Sequence, residues 1–103
     1  ARAVVGIINI FRKNREDLFT QVADTLYGEG KLDQLLEHCA AQLSKQPFHA
    51  YALWYQAKAY FRKGEYSKAR NVLESLDQSE PTWSESHVQP YLEKIRTIEK
   101  DGR

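Results

Sequence analysis

The stretch that decides the fold is "WYQAKAYFRKGEYSKA", residues 54–69. It holds five aromatic residues, three alanines and one glycine, and no obvious catalytic group. On both sides of Gly64, apolar side chains recur three or four residues apart, which is the spacing of one helix face. The stretch therefore predicts the end of one helix, a turn at Gly64 and the start of a second helix.

The same arrangement occurs 34 residues earlier, around Gly30. Three further pairs share this offset: Ala23 with Ala57, Leu32 with Tyr66, and Pro47 with Pro81. A helix–turn–helix unit repeated at a fixed period is typical of a stacked helical array, because each unit has an apolar face that it cannot bury alone. We therefore predict an all-α fold.

These residues resemble the tetratricopeptide repeat family. Its pattern is met in residues 50–83 by Ala57, Tyr60, Gly64, Tyr66, Ala69 and Pro81. Residues 16–49 match it less closely, through Ala23, Leu26, Gly30, Leu32, Leu35 and Pro47. Leu53 takes the place of the family's tryptophan, and Leu35 takes that of an alanine. The resemblance implies a solenoid of two helical-hairpin repeats, residues 16–49 and 50–83.

Residues 84–103 are expected to form a C-terminal capping helix and tail. An apolar stripe on one side, with charged residues elsewhere, suits a helix that closes an open solenoid end. The stripe consists of Val88, Tyr91, Leu92, Ile95 and Ile98. Thr82 and Glu85 have the spacing of a capping box, and Pro90 is expected to bend or break the helix near its start.

Residues 1–15 form a lead-in segment for which three interpretations stay open. The run "AVVGIINIF" at 3–11 is followed at once by "RKNR", and the segment carries four basic residues and no acid. It is a packed remnant or cap helix of a longer array, the end of a membrane anchor with basic residues at its cytoplasmic exit, or a free arm. The chain has no methionine, so we expect a processed chain or part of a longer one.

Composition favours a soluble globular domain without a nucleic-acid partner. The formal net charge is +1, and from Glu16 onward eleven basic residues face fourteen acidic ones. Aromatic and basic residues do interleave in "YFRKGEYSKAR", but the acids dilute the positive field. The single cysteine, Cys39, indicates a reducing compartment. We expect a cytoplasmic location, alone or as the cytoplasmic domain of a membrane-anchored protein.

No pattern of residues predicts an enzyme, a cofactor or a metal site. His38 and Cys39 are adjacent, but neighbours on a helix point about 100° apart and do not face each other. Cys39 lies on the apolar stripe, which predicts a buried core thiol. Neither a glycine-rich phosphate loop nor a nucleophile elbow is present, and His49 and His87 lack metal-ligand spacing.

The resemblance implies a concave groove lined by the first helix of each repeat. Carried over residue by residue, the expected peptide-binding site consists of Tyr27, Tyr51, Trp54, Lys58, Phe61 and Arg62. The face of the first repeat also includes Asp17, Thr20 and Asp24. Aromatic rings beside basic side chains suit an apolar segment flanked by acids. The expected function is non-catalytic binding of a protein or peptide by a scaffold.

Two alternatives to this groove remain open. If Trp54 belongs to the groove, we expect Trp54→Ala to weaken partner binding without unfolding the domain. Trp54 and Phe61 could instead cover the end of the array, in which case Trp54→Ala would lower thermal stability as well. The chain could also act as a membrane-tethered or self-associating module, a homo-oligomer that buries Trp54 or residues 4–11 between copies.

Overall fold

A computed structural model describes residues 18–101, and these form helices and short connections without any strand. Helix α1 covers residues 18–28. It is followed by α2 (Leu32–Lys45), α3 (Ala50–Arg62) and α4 (Tyr66–Ser79). A 3-10 turn (Pro81–Trp83) and a π-helical turn (Ser84–Val88) lead into α5 (Gln89–Asp101). The prediction of an all-α fold is confirmed over these residues.

The helix bounds repeat at the offset found in the sequence. Adding 34 to both ends of α2, Leu32–Lys45, gives the bounds of α4, Tyr66–Ser79. The last residues of α1 and α3, 28 and 62, are also 34 apart. Helix α3 packs against α2 on one side and α4 on the other. The described chain therefore contains two helical hairpins whose helices end at equivalent positions in the sequence and whose second helices have equal length.

The turns within the two hairpins have the same hydrogen bonds. The backbone N–H of Lys31 donates to the carbonyl of Leu26 at 2.9 Å, and that of Glu65 donates to Tyr60 at 2.9 Å. Gly30 and Gly64 have φ angles of 73° and 82°. Since side chains disfavour this left-handed conformation, glycine is the residue that both turns require.

Replacing Gly64 with alanine should lower the free energy of unfolding by about 1 kcal/mol, because left-handed backbone disfavours any residue with a Cβ. Gly28 is the matched control, since it is helical and no atom lies within 4 Å of an added Cβ at either position. Gly28→Ala should raise stability by roughly 0.5 kcal/mol through helix propensity. Urea denaturation of both variants measures these effects, and a loss of equal size in both would contradict the assignment of the turn.

Small residues lie where the helices of each hairpin pack together. Ala23 and Ala57, 34 residues apart, are 0% and 1% exposed. Leu35 and Ala69 form a second pair at this offset, and both are 0% exposed. Small side chains let helix axes approach closely. The repeat is thus present in the burial pattern as well as in the helix bounds.

The buried side chains of the described residues form two clusters, and α3 contributes to both. The first consists of Phe19, Ala23, Leu35, Cys39, Ala52, Tyr55 and Ala59. The second consists of Leu53, Ala57, Ala69, Leu73, Leu76, Val88 and Ile95. Leu43 and Trp54 are partly buried and pack against both clusters. These two side chains therefore join the hairpins into one core.

The 34-residue register is lost in the segment that follows the second hairpin. Residue 84 lies 34 positions after Ala50 but begins a π-helical turn, Ser84–Val88, instead of an α-helix. Leu53 is buried, and the buried residue here is Val88, 35 positions later. A π-helical turn accommodates extra residues within a helix, which explains the shift.

The start of the C-terminal helix differs from the sequence prediction. Thr82 lies inside the 3-10 turn, and no side chain caps this turn or the π-helical turn, so the capping box with Glu85 is not formed. Regular α-helix begins at Gln89, which places Pro90 in the first turn of α5, where proline is tolerated. An ion pair between Arg70 of α4 and Glu99 connects the end of α5 to α4.

The predictions for the lead-in segment, residues 1–15, fall outside the residues that the structure describes, as does the site residue Asp17. Between residues 18 and 101, no helix is long and apolar enough to cross a membrane.

Candidate functional site

Side chains from α1, α3 and α5 converge on one face of the molecule. We call this group the cation–aromatic cluster; it consists of Tyr27, Trp54, Tyr55, Lys58, Arg62 and Tyr91. Tyr27 comes from the end of α1, Tyr91 from the start of α5, and the other four from α3. Positions 54, 55, 58 and 62 follow the helical repeat, so they share one side of α3.

Lys58 lies among three aromatic rings. Its Nζ is 4.4 Å from the ring centroid of Tyr27, 4.9 Å from that of Tyr55 and 5.7 Å from that of Trp54. Burial lowers the pKa of Lys58, and the nearby carboxylate of Asp24 partly opposes this effect. The ring faces compensate the ammonium group for part of its lost hydration. Lys58 is therefore part of the packed structure of this face.

The phenol of Tyr55 is also engaged within the protein. Tyr55 is 6% exposed, and its hydroxyl donates a hydrogen bond to the Asp24 carboxylate. Burial, followed by that hydrogen bond and the charge of Asp24, raises the pKa of Tyr55. These contacts join α1 to α3 and leave this hydroxyl with a structural role.

Tyr27 and Tyr91 meet across α3. Burial raises the pKa of Tyr91, and the nearness of the Tyr27 phenol adds to this effect. The guanidinium of Arg62 donates to the carbonyl oxygen of Tyr27 at 2.6 Å, and its Cζ lies 5.0 Å from the Tyr27 ring centroid. The middle of the expected groove, over Lys58, is thus filled by the chain's own side chains.

Trp54 packs within an aromatic group between α3 and the C-terminal segment. Its ring meets those of His87 and Tyr91 edge to face, each at a centroid distance of 5.1 Å, and that of Trp83 at 6.3 Å. Edge-to-face pairs add stability beyond the area that they bury. Trp54 therefore holds the start of α5 against α3.

An open cleft lies beside the cation–aromatic cluster. It has a volume of about 400 Å³ and is lined by Phe61 of α3 and, from α5, by Pro90, Glu93, Lys94, Thr97 and Ile98. The Phe61 ring rests edge-on against Tyr91 at 5.2 Å and against Tyr66 at 5.4 Å. These contacts fix the orientation of Phe61, which gives the cleft a firm apolar wall.

The six predicted site residues do not form one surface. Tyr27, Trp54, Lys58, Phe61 and Arg62 lie together, either in the cluster or at the cleft. Tyr51 is 42% exposed and belongs neither to the cluster nor to the cleft; its ring lies 5.2 Å from that of Trp83, which in turn contacts Trp54. Of the other predicted residues of the first repeat, Asp24 contacts the cluster through Tyr55.

Sequence reasoning missed the contribution of α5 to this face. The apolar stripe of this helix predicts that Tyr91 and Ile98 pack on the core, yet both side chains are only partly buried. The missed signal is the spacing of Pro90, Lys94, Thr97 and Ile98, which places all four on one side of a helix. The π-helical turn rotates that side toward Phe61, and this turn has no clear signature in the sequence.

Cys39 is a core thiol. Its exposed fraction is 0%, and burial raises the pKa of Cys39 to about 12. The neighbouring His38 points elsewhere: its Nε2 donates to the carbonyl of Phe19 at 3.2 Å, and its ring stacks on the Phe19 ring at 4.5 Å. The adjacent pair therefore does not form a nucleophile–base dyad.

Burial of Cys39 predicts a loss of stability at alkaline pH. Because its pKa rises from 9.0 to about 12 on folding, the unfolded chain loses this proton first, and stability falls as pH rises above 9.0. Between pH 8 and pH 10, ionisation of this thiol in the unfolded chain should lower the free energy of unfolding by about 1 kcal/mol. Urea denaturation of the native chain and of Cys39→Ala at both pH values measures the difference, and an identical pH dependence in the two would contradict it.

No group of three or more histidine, cysteine or acidic side chains within residues 18–100 is placed to hold a metal ion. Comparison of the chain with family models, curated proteins and solved structures finds no match in any of the three.

Proposed function

We propose that this chain is a non-catalytic interaction module that binds a protein or peptide segment on the face formed by α1, α3 and α5. The observation that carries the proposal is the open apolar cleft beside the cation–aromatic cluster. A volume of about 400 Å³ lies within the range of small-ligand sites, ~300–1,000 Å³. Exposed apolar walls bordered by charged side chains are typical of recognition surfaces.

We propose further that the two hairpins are tetratricopeptide-like repeats stacked as a short solenoid, with α5 as the capping helix. The matching helix bounds, turn hydrogen bonds and buried alanines support this interpretation. Helix α5 has an exposed charged side, as expected of a helix that ends an array; it consists of Glu93, Lys94, Arg96 and Lys100.

The cytoplasmic location remains a prediction that rests on the single cysteine.

The mechanism is presentation of a preformed surface. The cluster is held by hydrogen bonds and ring contacts between three helices, so it needs no rearrangement before a ligand enters the neighbouring cleft. A preorganised surface has less conformational entropy to lose on binding. Recognition through this face requires neither a reactive side chain nor a cofactor.

Filling the cleft tests this function. Thr97 is exposed and lines the cleft, so Thr97→Trp should occupy it without disturbing a buried side chain. The matched control is Ser75→Trp, at an exposed position of α4. Peptides are first selected on the chain from a displayed library of random twelve-residue sequences.

Selected peptides should bind Thr97→Trp at least about tenfold more weakly than the native chain, a loss of about 1.4 kcal/mol. Their affinity for Ser75→Trp should equal that for the native chain. Failure to select any binder, or binders that tolerate Thr97→Trp, would contradict the proposal.

A second candidate, self-association, is favoured by the exposed side of α1. Leu18 and Val22 are 60% and 43% exposed, whereas Ala52, 34 positions after Leu18, is fully buried in the first cluster. A second copy of the chain could cover this side. Light scattering should then find a dimer for the native chain and a monomer for Leu18→Asp; monomers in both cases would exclude self-association.

Membrane tethering through residues 1–15 remains a prediction about a segment outside the described residues.

A further inference from the structure

Half of the basic side chains in the described part of the chain lack an acidic partner. Between residues 18 and 100 there are ten lysines and arginines, and five of them form ion pairs with a described carboxylate. The other five have no such partner within 4.0 Å: Lys45, Lys58, Arg62, Lys94 and Lys100. Three of these five contact the ring of Tyr27 or Tyr91. Asp24 acts on one of these three, Lys58, so the positive charge that remains uncompensated at the proposed binding face is that of Arg62 and Lys94.

The acidic side chains of this face are already engaged. The Glu93 carboxylate, at the cleft, accepts from Arg96 at 2.7 Å, and Asp24 accepts from the Tyr55 hydroxyl. The charge of Glu93 is balanced by Arg96, whereas Asp24 keeps its negative charge, which acts on the ammonium group of Lys58. Lys94 lines the cleft and is exposed. Arg62 is exposed in the neighbouring cation–aromatic cluster, whereas Lys58 is partly buried among rings.

We propose that the partner is an acidic peptide segment that places an apolar side chain in the cleft and carboxylates against Lys94 and Arg62. The inference rests on the proposed function and specifies its ligand. Charge complementarity selects the acids, and the wall formed by Phe61, Pro90 and Ile98 selects the apolar side chain.

The ring contacts favour such a peptide over a nucleic acid. Single-stranded nucleic acids bind by stacking their bases on exposed aromatic faces. Here the faces of Tyr27 and Tyr91 are covered by the cationic groups of Lys58, Arg62 and Lys94. Positive charge remains accessible at this face, whereas these two stacking surfaces do not.

The composition of the peptides selected from the random library tests the inference. We expect an apolar residue with aspartate or glutamate within two or three positions. One selected peptide is then synthesised together with its amide counterpart, in which asparagine and glutamine replace the acids. The acidic form should bind at least about tenfold more tightly, and its affinity should fall as salt is raised from 50 to 500 mM.

Charge reversal locates the contact. Lys94→Glu should lower the affinity for the acidic peptide by about fivefold, the effect of one exposed ion pair. The affinity for the amide form should be nearly unchanged. Lys45→Glu is the matched control, because Lys45 is an exposed and unpaired lysine on α2. A circular dichroism melt checks that both variants fold.

The outcomes separate this inference from the proposed function. Binders without acids, or equal affinity for acid and amide forms, would overturn the inference while the cleft still binds peptides. An absence of any binder would overturn both. Tighter binding of an eight-nucleotide oligothymidylate than of the selected peptide would also overturn the inference, in favour of a nucleic-acid ligand.

Discussion

A Leu73→Ala variant is expected to lose about 3 kcal/mol of unfolding free energy, because removing a buried leucine side chain leaves a cavity. Leu73 is fully buried in the second cluster, where α3, α4 and the C-terminal segment meet. Its side chain therefore contributes to packing of the second hairpin and to docking of α5.

Leu18→Ala is the matched control for this loss. The substitution removes the same atoms, but from a side chain that is 60% exposed on α1, so we expect a change of about 0.5 kcal/mol or less. Urea denaturation followed by circular dichroism measures both variants. Similar losses at the two positions would show that the side of α1 bearing Leu18 is covered in solution, which the self-association alternative requires.

A Trp54→Ala variant is expected to lose about 2 kcal/mol of unfolding free energy, below the range for fully buried tryptophan because this side chain is only partly buried. Trp54 packs against both hydrophobic clusters and meets the rings of His87 and Tyr91 edge to face. Its loss should loosen the joint between the hairpins and the attachment of α5.

The result for Trp54 separates a scaffold residue from a ligand contact. Denaturation of Trp54→Ala and of Trp54→Phe measures it, and the phenylalanine variant should recover part of the loss by restoring a ring. Weakened peptide binding with unchanged stability would show that Trp54 acts mainly as a ligand contact. The edge-to-face contacts favour the scaffold role.

Much of the fold could be predicted because each hairpin is specified by local rules. Gly30 and Gly64 mark turns that need left-handed backbone, and Ala23 and Ala57 mark close helix packing. Both are direct consequences of side-chain size, so a constant offset between such residues carries over into three dimensions. The buried stripe that includes Cys39 follows from helical periodicity alone.

The C-terminal segment could not be predicted to the same degree. Its sequence favours a helix throughout, but whether the first turn is α-helical or π-helical depends on how Trp83 and His87 pack against Trp54. That packing is a tertiary effect. A shift of one residue changes which side of α5 meets α3. The capping-box prediction failed because Thr82 lies inside a 3-10 turn instead of preceding an α-helix.

The candidate site was predicted for α3 and missed for α5. Residues on one side of α3 share a helical spacing that the sequence shows, so Lys58, Phe61 and Arg62 were found together. Tyr27, which contacts Lys58, also lies near Tyr91, a residue 64 positions away, and no local pattern encodes this proximity. That contact fills the middle of the groove and leaves the cleft at Phe61 as the open part.

Amide chemical shifts of the isotope-labelled chain, measured with and without a selected peptide, test the position of the binding face most directly. We predict shifts in the second half of α3, near Phe61, and along α5 at Lys94, Thr97 and Ile98, with little change in α2 and α4. Shifts confined to α2 and α4, or none at a saturating peptide concentration, would contradict the assignment of the binding face.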